Sequence, residues 1–136
     1  MKEPSGDEPA MKVERFQAEL HYPAFCKWTR FYELNPLPLQ FLPQSGFVVE
    51  GVAMGFMYRT DSKMALIENL SANPMIPRQT ATRGLDAVVT AIAEEGRALG
   101  FEVLIGYTNV EAVIQRALRH GFTTDDEKFQ VVTKVL

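Results

Sequence analysis

The stretch PRQTATRG, residues 77–84, has the residue types that bind phosphate groups. An apolar helical pattern follows it, and the start of a helix presents about four unpaired backbone N–H groups and roughly half a positive charge. Small side chains let an anion approach such amides, and arginine adds positive charge. The candidate ligands are Arg78, Gln79, Thr80, Ala81, Thr82, Arg83 and Gly84. The competing explanation is an ordinary strand-to-helix connection capped by a threonine.

Glu68 is the best candidate for acid–base chemistry, because it interrupts an otherwise apolar strand pattern over residues 65–70. Burial in such a strand raises a carboxyl pKa towards neutrality, which suits a general base. The competing explanation is an exposed or ion-paired glutamate on a half-covered strand. Because side chains alternate along a strand, Asn69 is expected on the face opposite Glu68. One site would then use only one of the two residues.

The hydrophobic patterns predict the elements that must position these residues. Apolar spacing predicts strands at 13–20, 46–50, 52–58, 64–71, 101–107 and 129–136. Helical spacing predicts an aromatic-rich helix over 22–34, a second from Leu85 to about Gly100, and a third that ends at Gly121. The resulting order is strand, helix, three strands, helix, strand, helix, strand. This order indicates an α+β fold with a mixed sheet.

Length and composition limit the class of protein. The 136 residues are 46% hydrophobic with a net charge of −3, which favours a single domain over 11–136 after a disordered polar tail over 1–10. The acidic balance disfavours a nucleic-acid partner, and no apolar run approaches the ~20 residues of a membrane span. The single cysteine, Cys26, predicts neither an internal disulfide nor a metal site. A cytoplasmic location is expected.

In these residues and their setting, the chain resembles the GNAT superfamily of acetyl-CoA-dependent N-acetyltransferases. The family's CoA loop follows the pattern Gln/Arg-x-x-Gly-x-Gly/Ala, which this chain matches at Gln79 and Gly84, with Thr82 at the middle glycine. Gly-Phe pairs at 100–101 and 121–122 end the next two helices, as in the family. The resemblance covers nearly all of the chain after residue 11. It implies a GNAT-like, mostly antiparallel central sheet flanked by helices, with a splay between strands 4 and 5.

The resemblance also implies a co-substrate and the residues that would hold it. Acetyl-CoA would bind the loop at 78–84, with its pantetheine arm along Leu70 and Ser71 of the fourth strand. Asn109 would contact the same arm, although helix capping is the competing role for this residue. A backbone N–H near Leu70 is the expected oxyanion donor, and Glu68 the expected base for an amine acceptor.

The catalytic acid is the point at which the sequence departs from the family. The family's tyrosine falls at Ala117, which has no proton to donate. Tyr107, at the end of the fifth strand, is the substitute candidate, with packing as its competing role. Two classes of function therefore stay open: an N-acetyltransferase with an unidentified amine acceptor, and a non-catalytic CoA-binding or protein-interaction module on the same fold.

The acceptor pocket would be shaped by the segment between the first two strands. This segment is rich in aromatic residues and prolines, and helical spacing places most of the aromatic side chains in the core. The last predicted strand, 129–136, could serve as an edge along which two copies pair.

Overall fold

The computed structural model describes residues 11–125 and 127–136, so the tail predicted over 1–10 lies outside the described residues. The chain separates into two compact units, one ending at Gly106 and the other spanning Tyr107–Leu136. A single domain over 11–136 stays a prediction. The elements of the first unit are β1 (Val13–Arg15), α1 (Ala18–Phe31), a 3-10 turn (Leu39–Phe41), β2 (Ser45–Val49), β3 (Ala53–Tyr58), β4 (Met64–Ala72), α2 (Arg78–Ala98) and β5 (Val103–Ile105).

The five strands form one sheet in the order β1-β2-β3-β4-β5. Neighbouring strands are antiparallel except for β4 and β5, which are parallel. This confirms the predicted α+β fold with a mixed, mostly antiparallel sheet. The β4–β5 pairing covers only Met64–Leu66 against Val103–Ile105, whereas β4 continues to Ala72. Pairing between the two strands therefore ends at Leu66, where β5 itself ends, and the splay between them stays a prediction.

Helices cover both faces of the sheet, which explains why β3 is apolar at every position. Met54 and Phe56 pack against Phe25 and other residues of α1. A Cβ added to Gly55 would meet Val88 of α2 on the opposite face. Side chains alternate along a strand, so a strand covered on both sides needs apolar residues at consecutive positions.

The prediction of a strand over 13–20 is wrong in its second half, where the chain is already helical. The carbonyl of Gln17 accepts hydrogen bonds from the amides of Leu20 and His21, at 3.0 and 2.8 Å, and these bonds begin α1. Leu20 is 63% exposed, so this apolar residue does not mark the buried face of a strand. The helix also ends earlier than predicted, at Phe31, because Glu33 adopts a positive φ of 60° that no α-helix continues.

The aromatic residues of α1 divide into buried and exposed groups. Phe25 and Trp28 are buried, as predicted, but Phe31 and Tyr32 are 55% and 60% exposed. These two rings pack edge to face with their centroids 5.2 Å apart. They lie at the end of the helix and beyond it, where the chain has left the sheet, so helical spacing alone overestimates their burial.

The described part of the second unit contains one helix, α3 (Glu111–Arg119). His120 is its C-cap and Gly121, with a positive φ of 87°, follows, so the helix stops close to the predicted glycine. The predicted strand over 129–136 is wrong: these residues form no regular structure and are exposed. A valine-rich segment forms a strand only where a neighbouring strand supplies hydrogen bonds, and the described part of this unit has none. Among the described residues, no helix is long and apolar enough to cross a membrane.

Candidate functional site

A β-bulge interrupts the middle of β4. The register between β3 and β4 shifts between Met54 and Phe56, so that Asn69 and Leu70 together lie opposite Gly55. Asn69 has a φ of 57°, a left-handed conformation that asparagine tolerates better than most side chains. Such bulges bend the strand, interrupt its pairing and redirect side chains near functional sites.

The bulge places Glu68 and Asn69 on the same face of the sheet. Glu68 pairs with Phe56, whose side chain faces α1. The Asn69 amide Nδ2 donates a 3.1 Å hydrogen bond to the hydroxyl of Tyr58, two residues from Phe56 and therefore on that same face. The prediction that Asn69 lies on the face opposite Glu68 is wrong, because regular alternation ends at the left-handed residue.

Glu68 has the environment of a proton acceptor. Its side chain is half-buried, and burial raises the pKa of its carboxyl group. Among the described residues, no side chain donates a hydrogen bond that would lower it again. Burial also raises the pKa of Tyr58, the charge of Glu68 raises it further, and the hydrogen bond from Asn69 opposes both. The carboxylate and the phenol therefore lie close enough to interact, with the phenol kept neutral.

In the described part of the first unit, the edge of β4 beyond Leu66 has no strand beside it. Gly106, just after β5, still lies against Ile67, because a Cβ added to Gly106 would be 3.2 Å from the carbonyl oxygen of Ile67. Strand pairing has by then ended. Ser71 pairs with Met54 on the β3 side. Within the described part of the first unit, the main chain around the bulge is thus paired on the β3 side only, and its other peptide groups could pair with an extended ligand.

The predicted loop over 77–84 is helical in the structure. Helix α2 begins at Arg78, directly after Pro77 at the N-cap position. In the first turn of α2, the Ala81 amide is the first to donate a main-chain hydrogen bond, to the Pro77 carbonyl at 3.0 Å. The amides of Arg78, Gln79 and Thr80 precede it, and no side chain caps them. The helix start therefore keeps its capacity for an anion, but at these three amides rather than along the whole stretch.

The other residues of the predicted loop lie further inside α2. Ala81, Thr82 and Arg83 occupy its next positions and are half-buried. Gly84 is buried, and a Cβ added there would overlap the Cγ1 methyl of Val52 and approach the Ala53 Cβ to 3.2 Å. Close packing of α2 on the β2–β3 turn therefore accounts for a glycine at position 84, without any contact between Gly84 and an anion.

Asn73 fixes the connection between β4 and α2. Its Nδ2 donates to the Gly51 carbonyl at 3.0 Å, and its Oδ1 accepts from the Met75 amide at 2.9 Å. Its own amide donates to the Val52 carbonyl at 2.9 Å. One residue therefore joins the end of β4, the tip of the β2–β3 hairpin and the approach to α2.

Tyr107 and Asn109 belong to the second unit. Tyr107 is 52% exposed, and its ring packs edge to face on Phe129 with the centroids 5.4 Å apart. Asn109 does not cap α3, because the N-cap position is occupied by Val110, whose amide donates to Thr108 Oγ1 at 3.1 Å. The catalytic role of Tyr107 and the ligand role of Asn109 stay predictions.

Glu14, His21 and Glu50 form a second cluster, with ligand atoms all within 4.8 Å of one another. His21 is 3% exposed, and its Nε2 lies 3.7 Å from Glu50 Oε2 without a hydrogen-bond partner. Its Nδ1, however, accepts a 2.9 Å hydrogen bond from the Gln17 amide. A neutral imidazole that accepts at Nδ1 carries its proton on Nε2. Nε2 therefore faces the carboxylates as a donor and has no lone pair for a metal ion.

Comparison with known proteins agrees with this geometry. No family model matches the chain, and no curated protein matches it in sequence. A Mycobacterium tuberculosis protein solved with CoA and the compound NLQ is similar in structure with a TM-score of 0.69, at 20% identity over 85% of this chain and 73% of that one. An aminoglycoside acetyltransferase from an uncultured soil metagenomic sample, solved with sisomicin, is similar with a TM-score of 0.60. Its sequence identity is 18%, over 92% of this chain and 96% of that one. The fold is GNAT-like.

The GNAT-like fold is shared with further acetyltransferases of known structure. Glucosamine-6-phosphate N-acetyltransferase from Arabidopsis thaliana has a TM-score of 0.62 at 12% identity, over 90% of this chain and 98% of that one. Identities this low show a common fold and leave the chemistry to be argued from the residues of this chain.

Sequence reasoning missed Tyr58 and placed Asn69 on the wrong face. Tyr58 ends a strand pattern, where an aromatic residue predicts packing and nothing more. Asn69 carried a usable signal, since a strand-breaking asparagine within an apolar strand is typical of a bulge with positive φ.

Proposed function

We propose that this chain is an acyl-CoA-dependent N-acetyltransferase that moves an acetyl group from acetyl-CoA to an amine acceptor. The observation that carries the proposal is the form of β4. The half-buried carboxylate of Glu68 is followed at once by the bulge at Asn69 and Leu70, on a strand whose outer edge is unpaired. A proton acceptor and open main chain thus lie within three consecutive residues.

The start of α2 fits the diphosphate of CoA. Five residues after β4, it offers the uncapped amides of Arg78, Gln79 and Thr80 together with the positive end of a 21-residue helix. Arg78 and Gln79 are exposed and available to an anion. Along the open edge of β4, the peptide groups of Leu70 and Ser71 would pair with the pantetheine arm. The CoA bound by the Mycobacterium tuberculosis neighbour supports this assignment.

The chemistry follows from these residues. Acetyl-CoA supplies an acetyl group activated as a thioester. Glu68 takes a proton from the acceptor ammonium, so that the amine nitrogen has a lone pair with which to attack. A main-chain amide at Leu70 would stabilise the negative charge that develops on the acetyl oxygen. Tyr107 is the proposed proton donor to the departing thiolate, and Asn109 a proposed contact of the CoA arm.

A non-catalytic CoA-binding module is the second candidate, and Ala117 is the observation that favours it. This position of α3 corresponds to the tyrosine acid of the family and has no proton to donate. The two candidates make different predictions for one assay. The enzyme releases free thiol from acetyl-CoA when amines are supplied, whereas the binding module binds CoA and releases none.

We expect CoA to stabilise the protein against heat, and Arg78→Glu to weaken CoA binding by about tenfold to a hundredfold. At a hundred times its Kd, a ligand adds about 2.7 kcal/mol to the free energy of unfolding. Reversing the charge of Arg78 removes a donor from the phosphates and places a carboxylate beside them. Thermal shift and titration calorimetry with CoA measure both effects.

Arg97→Glu is the matched control, because Arg97 lies exposed in the last turn of the same helix. This variant has the same net charge as Arg78→Glu but an unchanged α2 start, and we expect its CoA affinity to stay within twofold of wild type. Equal losses in both variants would point to a general charge effect and contradict a diphosphate site at the start of α2.

A further inference from the structure

A chain of two hydrogen bonds links the bulge to the segment between α1 and β2. Asn69 Nδ2 donates to the Tyr58 hydroxyl at 3.1 Å, and that hydroxyl donates to the Phe41 carbonyl at 2.8 Å. A phenol has one proton, and it is used on Phe41, so the oxygen must accept from Asn69. We call this arrangement, from Asn69 through Tyr58 to Phe41, the hydroxyl bridge.

The hydroxyl bridge holds Asn69 in a conformation that its backbone alone does not favour. A left-handed φ is disfavoured for residues with a Cβ, although asparagine visits it more readily than most. The bond from Nδ2 to Tyr58 is available only while Asn69 keeps the φ of 57° that turns its side chain onto the α1 face. Tyr58 is suited to both bonds because a phenol hydroxyl donates one hydrogen bond and can accept another on its oxygen.

The other end of the hydroxyl bridge lies in a segment that is otherwise fastened to α1. Phe41 closes the 3-10 turn Leu39–Phe41, and its ring is 58% exposed. Four residues earlier, the Leu37 carbonyl accepts a 2.7 Å hydrogen bond from the hydroxyl of Tyr22 in α1. Two tyrosine hydroxyls therefore donate hydrogen bonds to carbonyl groups of the same segment. Of the two, only the Tyr58 hydroxyl also accepts a hydrogen bond from a residue of β4.

We propose that Tyr58 and Asn69 are positioning residues that hold the bulge in β4 and couple it to the segment at 37–41. This inference rests on the proposed function for its effect on catalysis, because it assigns the bulge the task of presenting main chain beside Glu68. In this proposal neither residue takes part in the chemical step, and both act through the main chain of the bulge. A change in segment 37–41, for example when an acceptor binds there, would then reach the bulge through a single hydroxyl group.

Tyr58→Phe tests the inference, because it removes the hydroxyl and keeps the ring. We expect kcat to fall by roughly tenfold, because the change removes both hydrogen bonds of the hydroxyl bridge and leaves Asn69 Nδ2 and the Phe41 carbonyl without that partner. We expect the Kd for CoA to stay within twofold, since the start of α2 is untouched. Tyr22→Phe is the matched control: it removes a hydroxyl-to-carbonyl bond from the same segment, without contact with β4, and should leave kcat within twofold of wild type.

Amide hydrogen exchange over residues 69–71 gives a readout that does not depend on activity. We expect faster exchange there in Tyr58→Phe and wild-type exchange in Tyr22→Phe. Wild-type exchange at 69–71 in Tyr58→Phe would overturn the inference, whatever the kinetics show. If the wild-type protein transfers no acetyl group, the proposed function fails, and the exchange experiment still decides whether the hydroxyl bridge holds the bulge.

Asn69→Gly distinguishes the effect of the Asn69 side chain from the effect of its backbone conformation. Glycine adopts positive φ freely but has no amide to donate. We expect its exchange at 69–71 to match that of Tyr58→Phe, and the double variant to be no worse than either single variant, because both remove the same bond. Additive effects in the double variant would contradict a shared hydroxyl bridge.

Discussion

Glu68→Gln is expected to lower kcat by about 10²–10⁴-fold, the usual contribution of a general base. Glutamine keeps the size and hydrogen-bonding ability of the side chain but cannot take a proton from the acceptor amine. CoA affinity should stay unchanged, because Glu68 is not among the proposed CoA contacts. Steady-state thiol release and calorimetry with CoA measure the two quantities separately.

The same substitution should stabilise the folded protein at neutral pH. Burial raises the pKa of Glu68 in the folded state above its ordinary value. The folded state therefore binds more protons than the unfolded state between those two pKa values, and stability falls as pH rises through that window. Glutamine has no such dependence. The melting temperature of Glu68→Gln should exceed that of wild type at pH 8, and the two should converge below the ordinary pKa of glutamate.

Glu94→Gln is the control for both effects, since Glu94 is an exposed glutamate on α2. It makes the same change of charge away from β4 and should leave kcat and the pH dependence of melting as in wild type. Wild-type turnover in Glu68→Gln would remove Glu68 from the mechanism, even if the stability prediction holds.

Gly84→Ala is expected to destabilise the protein by about 1–3 kcal/mol, the usual range for overpacking a tight contact. The added methyl group overlaps Val52 Cγ1, and a β-branched side chain has little freedom to move away. Helix α2 would have to shift away from the β2–β3 turn. Urea unfolding followed by circular dichroism measures the loss.

Gly96→Ala makes the same change in the same helix without the clash. A Cβ there meets only the Met57 sulfur, at an ordinary 3.6 Å. Alanine is favoured over glycine in a helix interior by about 1 kcal/mol, so this variant should be as stable as wild type or more so. If Gly84→Ala were equally stable but unable to bind CoA, Gly84 would be a ligand contact rather than a packing residue.

The sheet could be predicted from the sequence where local pattern and tertiary packing agree. The turn at 60–63 separates two clear apolar runs, and β3 and β4 begin and end within two residues of their predicted limits. Glu68 was also identifiable, because a lone charge within such a run is conspicuous. These signals are local, so one sequence contains them.

The start of α2 could not be predicted from the same kind of signal. Thr80, Thr82 and Gly84 are typical of loops by intrinsic propensity, yet all three lie in the helix. Packing of Gly84 on Val52 outweighs that propensity, and the contact joins residues 32 positions apart in the chain. The bulge at Asn69 was not predicted either. The asparagine is a local signal for a bulge, but the exact position of the bulge depends on how β4 pairs with β3.

Asn73 has a consequence for how this protein could vary in length. Since it ties the tip of the β2–β3 hairpin to the approach to α2, an inserted residue near Gly51 would displace the helix start as well as the turn. At the turn around Asp61, the side-chain hydrogen bonds that the structure shows stay among neighbouring residues, such as that between Thr60 and Ser62, and the bond to a distant segment is made only further on, by the Lys63 carbonyl. Insertions and fused tags are therefore better tolerated at Asp61 than at Gly51, although both are exposed hairpin ends.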